Sequence, residues 1–298
     1  MRRHSATAMT PGVEPSVAKV RADPSERRPP APTLVLGAVI VVAIVLVALV
    51  SFFWTPWSTL FTDVDYPAAG PGTAGHLLGT DTRGRDIASL LMSGARTTLY
   101  VGILAVGIAA LIGTPLGILA GMVQRGPSEL IMRITDLMLA FPALLLALAF
   151  ATIWGSSLTT AMTAIGIASI PSFIRVVRSG TVVVMTTDYV QAARVAGRRR
   201  PGIAVRHVLP NVMGLVIVQV SVAYAIAILA EAALSYLGLG AGPTTPSWGR
   251  MLYENSDALT YAPVILIWPG LAIGLAVLGF NLLGDGLRDR LDPRLVGR

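Results

Sequence analysis

The polar side chains best suited to contact another molecule are concentrated in residues 186–211, TTDYVQAARVAGRRRPGIAVRHVLPN. This stretch holds five arginines and one histidine, and apolar runs lie on both sides of it. Guanidinium groups donate to carboxylate and carbonyl oxygens. The stretch therefore predicts a surface for recognition in water. A solvated basic loop with no partner is the alternative interpretation.

The rest of the sequence contains no pattern that is typical of an enzyme active site. The chain has no cysteine, which excludes disulfides, thiolate metal sites and cysteine nucleophiles. The sequence contains no GxxxxGK[ST] phosphate loop, HExxH pair or nucleophile elbow. Its three histidines, His4, His76 and His207, lie outside the apolar runs. We expect no enzyme activity, no resident cofactor and no metal site in this chain.

The composition is that of a membrane protein. The chain is 54% hydrophobic and 13% charged, with mean hydropathy +0.69, whereas soluble domains carry about 25% charged residues. Its net charge of +7 is divided among separate clusters rather than one basic face. This distribution argues against nucleic acid as a partner and indicates membrane topology.

Six apolar stretches predict an all-α membrane protein with six transmembrane helices. Each is about as long as the roughly 20 residues that cross a bilayer. The predicted spans are approximately residues 34–53, 98–123, 130–153, 158–174, 212–237 and 263–283.

Four segments follow from these spans. Residues 1–32 form a disordered tail, and residues 33–97 contain the first span and an extracytoplasmic segment, where a short surface helix could cover residues 86–92. Residues 98–286 form the core, and residues 287–298 form a second tail. Most of the 23 lysines and arginines lie on one side of the predicted topology. That side is cytosolic by the positive-inside rule and holds both termini and the loop at residues 186–211.

The loop itself predicts two short helices. Asp188 can cap the first helix, with Gln191 completing a capping box. Gly197 is placed for a left-handed C-terminal cap, and Pro201 stops the helix there. The second helix should cover about residues 202–208 and end before Pro210.

The loop sequence also resembles a known pattern. VQAARVAGRRRPGIAVRHVLP is similar to the EAA loop of binding-protein-dependent ABC-transporter permeases. Gln191 replaces the usual Glu of that pattern, which removes a charge. The matching positions are Ala192, Ala193, Gly197, Leu209 and Pro210.

Four further segments resemble the C-type subunit of the dipeptide/oligopeptide/nickel permease family. They are LGTDTRGRDIASLLMSGARTTLYVG, LSYLGLG, PSWGRML and GFNLLGDGLRDRLDPR, in that order along the chain. The resemblance implies that the loop couples to an ATPase through Asp188, Tyr189, Gln191, Ala192, Ala193, Gly197, Arg206, Leu209 and Pro210.

The same resemblance implies the partners and the location. The chain would lie in a bacterial cytoplasmic membrane beside a B-type permease, forming half of a pore. Two cytosolic ATPase subunits would carry ATP and Mg, and an extracytoplasmic binding protein would deliver dipeptides or oligopeptides. Import of nickel or another solute is the alternative within the family. A secondary transporter driven by an ion gradient is the alternative from another class.

Two charged positions within the apolar regions remain. Glu231 lies six residues before the end of the fifth predicted span and could face the pore or form a hydrogen bond between helices. Asp136 is expected to pair with Arg133 near the inner end of the third span.

Overall fold

A computed structural model describes residues 32–123 and 126–291. The predicted tails, apart from residue 32 of the first and residues 287–291 of the second, lie outside this range. The regular elements of the described residues are helices. They are α1 (Pro32–Ser51), α2 (Ile87–Met122), α3 (Pro127–Leu139), α4 (Ala143–Trp154), α5 (Leu158–Met185), α6 (Asp188–Val195), α7 (Arg200–Ile203), α8 (Leu209–Tyr236), α9 (Trp248–Glu254) and α10 (Val264–Leu291).

The predicted all-α membrane class is confirmed, with one change to the third span. Five helical segments among the described residues are long and apolar enough to cross a membrane, and α3 with α4 makes a possible sixth. These two helices are bent by 80° instead of forming one straight span. Pro142 explains the break, because proline lacks the backbone N–H and disfavours helix at the residue before it.

Several helices run further than the sequence predicted. The separate surface helix at residues 86–92 is wrong, because α2 is continuous over 36 residues. Asp86 starts it by accepting a hydrogen bond from the Ser89 backbone N–H at 2.7 Å. Helix α5 continues to Met185, which takes Arg175 and Arg178 into the spanning helix. Helix α10 continues to Leu291, so the predicted tail at residues 287–298 begins as helix.

Glycines at four-residue intervals bring α2 and α5 together. A Cβ atom added to Gly113, Gly117 or Gly121 would lie 2.5–2.8 Å from a Cβ of α5. Small residues allow backbones to approach closely where hydrocarbon gives helices no hydrophobic reason to associate. The α5 residues that fill the space are Phe173, Val177 and Thr181, each of them fully buried.

The contacts between helix ends define two ends of the bundle. The start of α1 packs on the last turns of α10, with Leu34 against Gly286, and Leu291 lies beside Gly214 near the start of α8. Both described chain ends therefore lie with residues 186–211, at what we call the loop end. The opposite end, the cap end, is formed by residues 52–86 and 237–263.

Candidate functional site

The first helix of the loop begins differently from the prediction. The N-cap position of α6 is Thr187, not Asp188, and no side chain caps it. The predicted capping box is therefore wrong. The Gln191 Nε2 instead donates to the backbone carbonyl of Met185 at 2.9 Å. Carbonyls in the last turn of a helix lack intrahelical partners, so Gln191 closes the end of α5.

The predicted left-handed cap at Gly197 is confirmed. Gly197 has φ of +75°. Its N–H bonds the Arg194 carbonyl at 3.0 Å, and the Arg198 N–H bonds the Ala193 carbonyl at 3.1 Å. These two bonds form a Schellman motif, which ends α6 and turns the chain sharply.

The second short helix does not end before Pro210, as predicted, but continues into the membrane span. Helix α7 passes through a π-helical turn, Ala204–Val208, directly into α8. The wider turn accommodates Pro210, whose ring would clash with the carbonyl four residues earlier in a regular helix. The Asn211 side chain donates to the His207 carbonyl at 2.7 Å.

Three buried apolar side chains fix the loop to the bundle. Val190, Ile203 and Val208 are at most 1% exposed and belong to the core that includes Met185 and Val212. Burying an aliphatic side chain of this size contributes about 1.5–3 kcal/mol. The loop is thus a packed part of the fold.

The opposite face of the loop is open. Val195 is 90% exposed and Val205 is 66% exposed, although both are apolar. Ala193 and Leu209 are half-buried. The other predicted coupling residues are exposed: Asp188, Tyr189, Gln191, Ala192, Gly197, Arg206 and Pro210.

A cavity of about 580 Å³ lies between the loop and the ends of the spans. Arg194, Arg198 and Arg200 line it, together with apolar residues from the ends of α2 and α5. Within residues 32–123 and 126–291, no carboxylate lies within 4.0 Å of these guanidinium groups. Their charge is available to an acidic group from outside. The sequence identified these arginines as candidates for recognition. It could not predict the cavity, because the cavity forms only where the end of α2 packs beside the loop.

Glu231 matches the interhelical alternative. It is 3% exposed, and its Oε1 accepts a hydrogen bond from the Ser235 hydroxyl at 2.6 Å. Ser247, the N-cap residue of α9, is its second polar neighbour, and the Ser235 hydroxyl oxygen also accepts the Ala241 N–H at 2.9 Å. The carboxylate therefore lies where α8 meets the cap end.

The cap end contains an ion network that sequence reasoning missed. The Oδ1 of Asp81 accepts the backbone N–H groups of Arg83 and Arg85 at 2.9 and 2.8 Å. Arg85 also binds Glu254 of α9, as does Arg250 at 2.9 Å. The sequence feature that could have indicated this network is the charged stretch TDTRGRD, which comes directly before α2.

The network sets the charge state of its members. Burial alone would raise the pKa of Glu254, but the hydrogen bond and charge of Arg85, with the charges of Arg250 and Arg83, lower it overall. Burial acts to lower the pKa of Arg85, and the neighbouring carboxylates of Asp81 and Glu254 outweigh it, so that this pKa is raised. Glu254 and Arg85 are therefore ionised at neutral pH.

Asp136 pairs with Arg175 of α5 instead of Arg133. The Oδ1 of Asp136 lies 2.6 Å from a terminal guanidinium nitrogen of Arg175. Both side chains are more than half exposed, at 61% and 51%. The predicted Asp136–Arg133 pair is wrong because the fourth span was predicted to end at residue 174, one residue before Arg175.

Comparison with known proteins identifies relatives along most of the chain. Residues 113–297 match the family described as binding-protein-dependent transport system inner membrane component. The dipeptide transport system permease protein DppC of Alkalihalophilus pseudofirmus is 42% identical over 88% of this chain and 86% of its own length. The glutathione transport system permease protein GsiD of Pectobacterium atrosepticum is 43% identical over 84% of this chain and 85% of its own. The di/tripeptide transport system permease protein DppC of Pseudomonas aeruginosa is 46% identical over 75% and 74%.

A solved structure shares the fold. A chain of the MetNI methionine ABC transporter, in an inward-facing conformation, aligns with a TM-score of 0.57 and 18% identity, over 68% of this chain and 96% of that one. At this identity the likeness concerns the fold alone. The family match covers more than half of the chain, and the relatives above extend it. The chain therefore belongs to the binding-protein-dependent transport system inner membrane component family.

Proposed function

We propose that this chain is a permease subunit of an ATP-driven importer of small peptides. The observation that carries the proposal is the 42–46% identity, over most of the chain, to permeases named for dipeptides, di/tripeptides and glutathione. Glutathione is a tripeptide, so it is the second candidate substrate. None of these relatives is named for nickel, which favours peptides over the metal alternative.

In this proposal the loop end is cytosolic and the loop is the contact with an ATPase subunit. The buried anchors Val190, Ile203 and Val208 would transmit force between loop and core, and the exposed apolar face would enter a groove of the partner. The arginines around the cavity would meet acidic groups there. ATP and Mg belong to the ATPase subunits and not to this chain.

The remaining partners follow from the same arrangement. A second permease subunit would complete the pore beside the core at residues 98–286. An extracytoplasmic binding protein would dock at the cap end, where the Asp81–Arg85–Glu254 network holds the surface in one conformation.

Uptake by proteoliposomes containing the assembled transporter tests the proposal. We expect uptake of a labelled dipeptide that requires ATP and stops with vanadate. Competition by unlabelled glutathione and by Ni²⁺ would identify the preferred solute. Uptake that persists without ATP but stops when the ion gradient is collapsed would indicate a secondary transporter and overturn the proposal.

Two substitutions test the loop separately. Ala193→Asp and Gly197→Glu each place a carboxylate near the C-terminal end of α6, outside the spans. Gly197 has φ of +75°, so its variant also strains the turn, and Ala193→Asp is the cleaner test of docking. We expect ATPase subunits to be lost on purification of the complex. Leu77→Glu, at a 72% exposed position of the cap end, is the matched control and should retain them. Wild-type ATPase yield with either loop variant would contradict the assignment.

A further inference from the structure

The Asp136–Arg175 pair is level with a segment of α2 that carries no charged residue. Gly113 and Gly117 of α2 contact residues 170–177 of α5, so Arg175 is level with that segment. No charged residue occurs between Arg96 and Arg125. At 1.5 Å per residue, Gly113 and Gly117 lie about 14 and 8 Å along the helix axis before Met122, where α2 ends. The pair is therefore level with the spanning part of α2 and not beyond its end.

The charges of the pair would be costly in contact with hydrocarbon. A charged side chain in the middle of a span costs roughly 2.5–3.5 kcal/mol on insertion scales, and such residues face water or protein. The break between α3 and α4 is close by in the chain, with Phe141 63% exposed and no side chain capping α4. Non-helical backbone at membrane depth occurs where it lines a cavity or is covered by protein.

Asp136 and Arg175 each keep hydrogen-bonding groups that their mutual contact does not use. A single contact joins Asp136 Oδ1 to one terminal nitrogen of Arg175. Within the described ranges, the second carboxylate oxygen and the other guanidinium nitrogens have no side-chain or backbone partner. A carboxylate accepts hydrogen bonds from an ammonium group, and a guanidinium donates two parallel bonds to a carboxylate. These are the two charges at the ends of a peptide.

We propose that Asp136 and Arg175 lie on the wall of the translocation pathway and exchange their mutual contact for the terminal charges of a passing peptide. Asp136 binds the ammonium group and Arg175 binds the carboxylate. The inference rests on the proposed function and specifies the part of the substrate that this subunit contacts.

The absence of native cysteines allows a direct test of exposure to water. Asp136→Cys and Arg175→Cys are made in the complete transporter and treated in vesicles with a charged, water-soluble methanethiosulfonate reagent. Both should react, and saturating dipeptide should slow the reaction. Val177→Cys, on the same helix but 0% exposed, is the control that should not react. If neither cysteine at 136 nor 175 reacts, the pair is covered by lipid or by the second permease subunit, and the proposal fails.

Transport kinetics test the charges themselves. Arg175→Gln and Asp136→Asn should each raise the KM for dipeptide uptake roughly tenfold or more, as expected for loss of a charge-assisted hydrogen bond, while the yield of the assembled complex stays unchanged. Arg175→Lys should recover part of the loss. Arg133→Gln, on an exposed α3 arginine without an ion partner among the described residues, should leave the KM unchanged.

Different outcomes would overturn the role of the Asp136–Arg175 pair and the proposed function of the chain. Unchanged KM in both neutral variants, or loss of the second permease subunit from the complex, would overturn the role of the pair. Absence of ATP-dependent peptide uptake by the wild-type transporter would overturn the proposed function instead.

Discussion

The two ends of the molecule are built on different principles. At the cap end, arginines are matched to buried carboxylates, with Asp81 0% exposed and Glu254 bound by Arg85 and Arg250. At the loop end, aliphatic anchors such as Val190 hold the backbone, and the arginines around the cavity are left without carboxylates among the described residues. A network satisfied internally fixes one conformation, whereas charge left open suits a surface that another molecule completes.

Removal of the Asp81 carboxylate should give the largest effect. Asp81→Ala removes a fully buried carboxylate from Arg85, whose side chain is 14% exposed and keeps Glu254 as a partner. Breaking a buried pair costs about 3–5 kcal/mol, and we expect the lower end of that range here. We expect a large fall in Tm of the purified subunit in detergent. Asp65→Ala, at an exposed cap position, is the control and should change little. If both variants unfold at the same temperature, the cap is not held by this network.

Two valines of α6 separate folding from docking at the loop end. Val190→Ala removes two buried methyl groups and should lower the free energy of unfolding by about 2 kcal/mol. Val195→Ala, at a 90% exposed position, should leave thermal stability unchanged but weaken ATPase binding. Thermal unfolding and ATPase titration measure the two properties. Equal effects of both changes on stability would remove the distinction between anchors and docking face.

Acid should loosen the cap through Glu254. Its pKa is lowered in the folded protein, so the stabilisation is fully present above the ordinary value near 4.5 and is lost as pH falls through the lower folded pKa. Tm measured between about pH 6 and pH 3.5 should therefore fall less steeply in Glu254→Gln than in wild type. Parallel pH profiles of the two proteins would show that this carboxylate does not contribute.

The smallest effect is expected at Gln191. Gln191→Glu replaces an amide donor by a carboxylate that cannot donate to the Met185 carbonyl. The lost bond should cost about 1 kcal/mol and loosen the loop. Hydrogen exchange at the amides of α6 would detect the change, with Asp188→Glu as a charge-preserving control. Protection equal to wild type would indicate that the bond to Met185 is not needed.

Hydropathy and local chain chemistry predicted much of this structure. Apolar stretches located the spans, and the conformational freedom of glycine predicted the positive φ at Gly197. Predictions from local sequence were wrong where contacts between helices determine how far a helix extends. Arg175 was excluded from the fourth span because a charge normally ends an apolar run, yet α5 continues past it to Met185.

Long-range pairs were beyond the reach of sequence patterns. Arg85 and Glu254 are 169 residues apart, and Asp136 and Arg175 are 39 apart. Spacing along one helix cannot predict which charges meet across helices. Pro142 was a recognisable helix breaker in the sequence. Hydropathy is averaged over a window of residues, however, and does not show whether the helix axis changes direction within an apolar stretch.

The π-helical turn has a mechanical consequence. Because the helical conformation is continuous from α7 through this turn to α8, residues Arg200–Tyr236 form one helical segment of 37 residues, about 55 Å long. A tilt of about 5° at the arginine end would move the far end by roughly 5 Å over that length. Near that far end, Glu231 bonds Ser235 and lies beside Ser247, the N-cap residue of α9. In the proposed function, a push by an ATPase subunit on the loop would therefore displace the cap end, at the other side of the membrane.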